Sequence, residues 1–96
     1  MKIAFDVDGT LIQKSSKGRD TPRYTVLNMM FHFKIYHEIY VWSGGGRDYA
    51  RDWCEKLGID EMVTVIDKNI TASAHYNIDL TVDDEDISLA KTNIKV

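Results

Sequence analysis

A chain of 96 residues, 44% apolar and 28% charged, holds one hydrophobic core rather than two, so a single domain over residues 1–96 is expected. Its net charge of −3 at pH 7 excludes a general nucleic-acid binder, whose affinity comes from Lys and Arg neutralising phosphates; nucleic acid stays open only as a substrate. The lone Cys54 excludes an internal disulfide and a cysteine zinc site, and no apolar run reaches the ~18 residues of a membrane helix, so the expected setting is cytoplasmic, without a membrane partner.

In chain order, Ile3 to Phe5 reads as a first strand that runs into Asp6-Val7-Asp8 before a secretory core can form. Thr21 is suited to cap a helix opening at Pro22, with Tyr24, Leu27, Met30 and Phe31 recurring at helical spacing over about fourteen residues. Ile39 to Trp42 reads as a second strand and leads into Ser43-Gly44-Gly45-Gly46-Arg47. A second helix follows, its apolar stripe formed by Tyr49, Ala50, Trp53, Cys54 and Leu57 and its end marked by Gly58.

Met62 to Ile66 then gives a third strand ending in Asp67-Lys68, and Ile78 to Val82 a fourth ending in Asp83-Asp84. Short helices are expected over Ile70 to Tyr76 and Ile87 to Lys91, and Asn93 to Val96 is suited to a short edge strand. The first three strand runs are continuously apolar, the pattern of strands covered on both faces. Alternation of strand and helix makes this an α/β chain, a three-layer, Rossmann-like fold around a mostly parallel sheet of four or five strands.

In such sheets ligands bind beyond the carboxyl ends of the strands, near a change in strand order. All four predicted strand ends here are polar, and together they offer the carboxylates of Asp6, Asp8, Asp83 and Asp84, the Ser43 hydroxyl and the Lys68 ammonium. Carboxylates at that density repel one another unless a cation sits among them, and an all-oxygen set suits Mg²⁺. His32, His37 and His75 show no zinc spacing and read as surface or partly buried residues. Ser43 with the following glycines reads either as an anion cradle at a helix start or simply as a tight turn.

These residues resemble the motifs of the haloacid-dehalogenase-like (HAD) phosphohydrolases. DVDGT at residues 6–10 is similar to their first motif, Ser43 after IYVW to the second, Lys68 to the third, and VDD at 82–84 to the fourth. The resemblance implies a Mg²⁺-dependent phosphatase that hydrolyses a phosphomonoester through an aspartyl-phosphate on Asp6, with Asp8 as general acid and base. It further implies Mg²⁺ held by Asp6, the Asp8 backbone carbonyl and Asp84, with Asp83 orienting Lys68, because adjacent strand residues point oppositely. Ser43 and Lys68 would continue the charge stabilisation, and Gly44 and Arg47 would bind substrate.

A dianionic phosphoryl group about 3.5 Å from a carboxylate is repelled by on the order of 10 kcal/mol at an effective dielectric of about 20, so the metal is essential to such an attack. Neither gap between motifs is long enough for a cap domain. A capless, open site suits a phosphorylated macromolecule, or a small molecule enclosed by a neighbouring subunit of a homo-oligomer. Lys14, Lys17, Arg19 and Arg23 cluster in the segment that flanks the site in this family, as an attractive patch for an anion or as a solvated loop. The competing expectations are a non-catalytic phosphate-binding or interaction module and a receiver-type phosphoacceptor domain.

Overall fold

In the computed structural model, which describes residues 1–96, the strands are β1 (Lys2–Asp6), β2 (Ile12–Gln13), β3 (Thr21–Pro22), β4 (Glu38–Trp42), β5 (Thr64–Val65), β6 (Leu80–Asp83) and β7 (Thr92–Lys95). The helices are α1 (Tyr24–Lys34), α2 (Arg47–Leu57) and α3 (Ile70–Tyr76), with a 3₁₀ turn at Asp60–Met62. Five strands form one parallel sheet in the order β5-β4-β1-β6-β7, while β2 and β3 make a separate antiparallel ribbon. This is the expected α/β architecture, and no cap domain interrupts it.

Side-chain alternation along β1 sorts the layers. Ile3, Phe5 and Val7 join the larger core with Ile39, Val41, Leu80 and Val82, under Val26, Leu27 and Met30 of α1 and Ala50 and Cys54 of α2. Ala4 faces the other way with Tyr40, Trp42, Ile66 and Ile78, beneath Tyr76 at the end of α3 and Leu89 and Ala90. Burial on both faces explains why the strand runs are continuously apolar. Gly58 closes α2 in the left-handed conformation at φ 73°, as its position in the sequence implies.

Several expectations are corrected. The first helix begins at Tyr24, not Pro22, because Thr21 and Pro22 pair with Gln13 and Ile12; Thr21 therefore caps nothing. Its buried face is Val26, Leu27 and Met30, leaving Tyr24 and Phe31 exposed. The 3₁₀ turn takes Met62 and shortens the third strand to two residues. No helix forms over 87–91, where Asn93 intervenes: its side-chain oxygen accepts from the N–H groups of Leu89 and Ala90, and its amide donates to the Ala90 carbonyl. The longest helices have eleven residues, and no helix is long and apolar enough to cross a membrane.

Candidate functional site

Strand order reverses at β1. The chain moves outward through β4 and β5 and then returns to place β6 on the opposite side of β1, which is the switch point where open α/β sheets bind ligands. Asp6 ends β1 and Asp83 ends β6, on the two strands that meet there. Both side chains are buried, as are Thr10 and Ser43. Sheet pairing thus brings the two ends of the chain to one edge.

Lys68 joins the two acids. Its Nζ lies 3.1 Å from Asp6 Oδ1 and 2.7 Å from Asp83 Oδ2, and the other Asp83 oxygen accepts the Glu85 N–H at 3.0 Å. Burial alone would lower the Lys68 pKa, but Asp83 and Asp6 outweigh it and hold the ammonium above its ordinary value. Burial pushes Asp6 up to about 6; Lys68 opposes that rise and Asp83 adds to it. One ammonium does not neutralise the group.

Asp84 completes a triad with Asp6 and Asp83, one carboxylate oxygen from each lying within 4.8 Å of the others. The expectation that neighbouring positions 83 and 84 point apart fails because β6 ends at Asp83 and Asp84 sits in the bend beyond it. Thr10 lies between the two halves, its Oγ1 3.4 Å from Asp6 Oδ2 and 3.3 Å from Asp84 Oδ1. Gly9 has φ 80°, and a Cβ there would lie 2.2 Å from Asp84 Oδ2, so the turn after β1 tolerates no side chain.

The donor chemistry fits a hard divalent cation. The cluster has three carboxylates and one ammonium, which pairs with Asp6 and Asp83 only, and no backbone or side-chain donor reaches the Asp8 carbonyl. The Asp8 carboxylate lies outside the triad and instead accepts the Tyr49 hydroxyl on Oδ1. Zinc-type ligands are absent from the cluster.

At the end of β4, the Ser43 hydroxyl accepts the Gly45 N–H at 3.0 Å, and the Ser43 carbonyl accepts the Gly46 N–H at 3.0 Å. The glycine-rich loop is therefore a turn that consumes two of its own amides, and the Gly44 N–H and the Ser43 hydroxyl proton have no protein acceptor. Arg47 opens α2 and pairs with Asp67 at 3.4 Å on exposed surface. Lys14 pairs with Asp20 at 3.1 Å, and Arg23 donates to the Gly9 carbonyl at 2.5 Å, so two members of the basic cluster are engaged within the protein.

Three contributors were not read from the sequence as such. Thr10 and Arg23 fix the turn after β1, and Tyr49 reaches Asp8. In the sequence Thr10 falls within the DVDGT run and Arg23 within the basic cluster, while Tyr49 reads only as part of the apolar stripe of the second helix. Burial and the bond to Asp8 raise its phenol pKa. None of the surface concavities includes Asp6, Asp8, Ser43, Lys68, Asp83 or Asp84. No protein-family model, curated protein or solved structure matches the chain.

Proposed function

We propose that the chain is a Mg²⁺-dependent phosphoric monoester hydrolase of the haloacid-dehalogenase-like type, working through an aspartyl-phosphate on Asp6. The observation that carries this reading is the Lys68 ammonium bridging Asp6 and Asp83, with Asp84 completing the acidic triad, at the switch point of the sheet. Asp6, Asp84 and the Asp8 carbonyl would hold the cation, which supplies the positive charge that lets an anionic ester approach an anionic nucleophile. Asp83, both of whose oxygens are engaged, orients Lys68.

A carboxylate oxygen of Asp6 attacks phosphorus, and the bond from phosphorus to the ester oxygen breaks with its electron pair moving to that oxygen. Asp8 gives the departing oxygen a proton. In the second half, water gives a proton back to Asp8 and attacks phosphorus, returning the Asp6 carboxylate and releasing phosphate. Lys68, the Ser43 hydroxyl and the Gly44 N–H face the charge that develops on the phosphoryl oxygens. The lack of a cap domain favours a phosphorylated macromolecule, or a small ester enclosed by a second copy, over a small ester enclosed by this chain alone.

Strand order also bears on the alternatives. A receiver-type sheet runs 2-1-3-4-5, whereas here the strands, counted along the main sheet, run 3-2-1-4-5. The reading is tested with p-nitrophenyl phosphate: hydrolysis that requires Mg²⁺ and disappears in Asp6→Asn supports it. Activity that survives Asp6→Asn sinks the nucleophile assignment. Folded, Mg²⁺-loaded protein that hydrolyses nothing in a broad panel of phosphate esters would favour the non-catalytic phosphate-binding or interaction module.

A further inference from the structure

Asp8 is held from two directions. Its neighbour Gly9 is fixed through its carbonyl by Arg23, and its own carboxylate accepts the phenolic O–H of Tyr49 on Oδ1 at 2.5 Å. No protein donor reaches Oδ2. The phenol comes from the first turn of α2, forty-one positions away in sequence. Its ring has a defined seat, since a Cβ built on Gly45 would lie 3.1 Å from Tyr49 Cδ2 and 3.2 Å from Cγ.

Granting the hydrolase reading, on which this inference rests, we propose that Tyr49 is a positioning residue: by occupying Oδ1 of Asp8 it leaves Oδ2 as the oxygen that exchanges a proton with the leaving group. Tyr49 keeps its own proton throughout. As the ester bond breaks, the proton on Oδ2 passes to the departing oxygen, and the carboxylate left behind receives the Tyr49 hydrogen bond. That bond strengthens as its acceptor becomes charged, so it acts when the proton leaves rather than before. Fixing one oxygen also removes the rotation of the carboxyl group that would otherwise present either oxygen to the substrate. Gly45, on this account, keeps the ring's seat clear as well as shaping the turn.

The consequence depends on the leaving group. An alkyl alkoxide needs the proton to depart, whereas p-nitrophenolate leaves as a stable anion. The quantity to compare is kcat/KM, which reports the steps up to formation of the aspartyl-phosphate and excludes its hydrolysis. Tyr49→Phe is expected to lower kcat/KM about tenfold for an alkyl phosphate and less than about twofold for p-nitrophenyl phosphate, the size expected for one charge-assisted hydrogen bond.

In an Asp8→Asn background, Tyr49→Phe is expected to add nothing to the difference between the esters. Should Tyr49→Phe not fold, Gly45→Ala displaces the ring by a few tenths of an ångström and is expected to show the same selectivity for the alkyl ester. An equal loss for both esters, no loss for either, or a further selective loss in the Asp8→Asn background overturns the proposal. Wild-type protein inactive on both esters is a different result, because it removes the hydrolase reading itself.

Discussion

Thr10 has one hydroxyl proton and two carboxylates within reach of it, and both separations, 3.4 and 3.3 Å, lie at the long limit of a hydrogen bond. It spaces Asp6 and Asp84 without quenching their repulsion. Burial holds the Asp6 pKa at about 6 against an ordinary 3.8, so the folded protein binds more protons than the unfolded chain between about pH 4 and 6. Stability of the metal-free protein therefore falls as pH rises through that window and levels off above it. Asp6→Asn removes the effect: in urea denaturation at pH 7 without metal, it is expected to be more stable than wild type by up to about 3 kcal/mol, with the difference vanishing below pH 4. An equal or lower stability at pH 7 would contradict this. Gly9→Ala acts oppositely, since its Cβ would meet Asp84 Oδ2 at 2.2 Å on a backbone at φ 80°; it should cost about 1–3 kcal/mol and abolish the proposed Mg²⁺-dependent hydrolysis, and a stability equal to wild type would refute the close packing. Asp6, Lys68, Asp83 and Asp84 were legible because their charges end apolar runs. Tyr49 was not, since an aromatic residue at helical spacing reads as core; only the fold reveals that it reaches β1's end.

Among the elements, α3 shows most directly how local chemistry places a functional group. Asn69 Oδ1 accepts the Ala72 N–H at 2.7 Å and fixes the start of the helix directly after Lys68. Asn69→Ala is expected to lower the urea-denaturation free energy by about 1 kcal/mol, and an unchanged midpoint would show that the cap carries no weight. Elements governed by their own residues, such as α2 with Gly58 and α3, matched their sequence patterns. The misread ones answer to distant partners. Pro22 looks like a helix opener until Ile12 claims it for a two-strand ribbon, and residues 87–91 look helical until Asn93 takes their amides. Periodicity registers which residues want burial; it does not register which side chain elsewhere in the chain competes for the backbone.

For the molecule as a whole, the acidic cluster lies at the carboxyl edge of the sheet, while the largest concavity, about 750 Å³, lies at the opposite edge beside Met1, Lys34, Tyr36, His37 and Asp79. Shape alone directs attention to the end opposite the one that strand order and charge indicate. A cation bound only by the folded state stabilises that state by mass action, by about 3 kcal/mol at roughly a hundredfold excess over its dissociation constant. Mg²⁺ is thus expected to raise the melting temperature of wild type at pH 7 and to have much less effect on Asp84→Ala. A wild-type melting temperature indifferent to Mg²⁺ would argue against the cation site.

The span between Thr10 and Asp84, 74 positions, has a kinetic meaning. An unfolded chain carries the two halves of its acidic group far apart and at little cost until β6 settles beside β1. The repulsion is then concentrated in that single late step, after β1, β4 and β5 are already available to pair. The step that seats β6 beside β1, and so offers the edge on which β7 pairs, is also the one that gathers the charges.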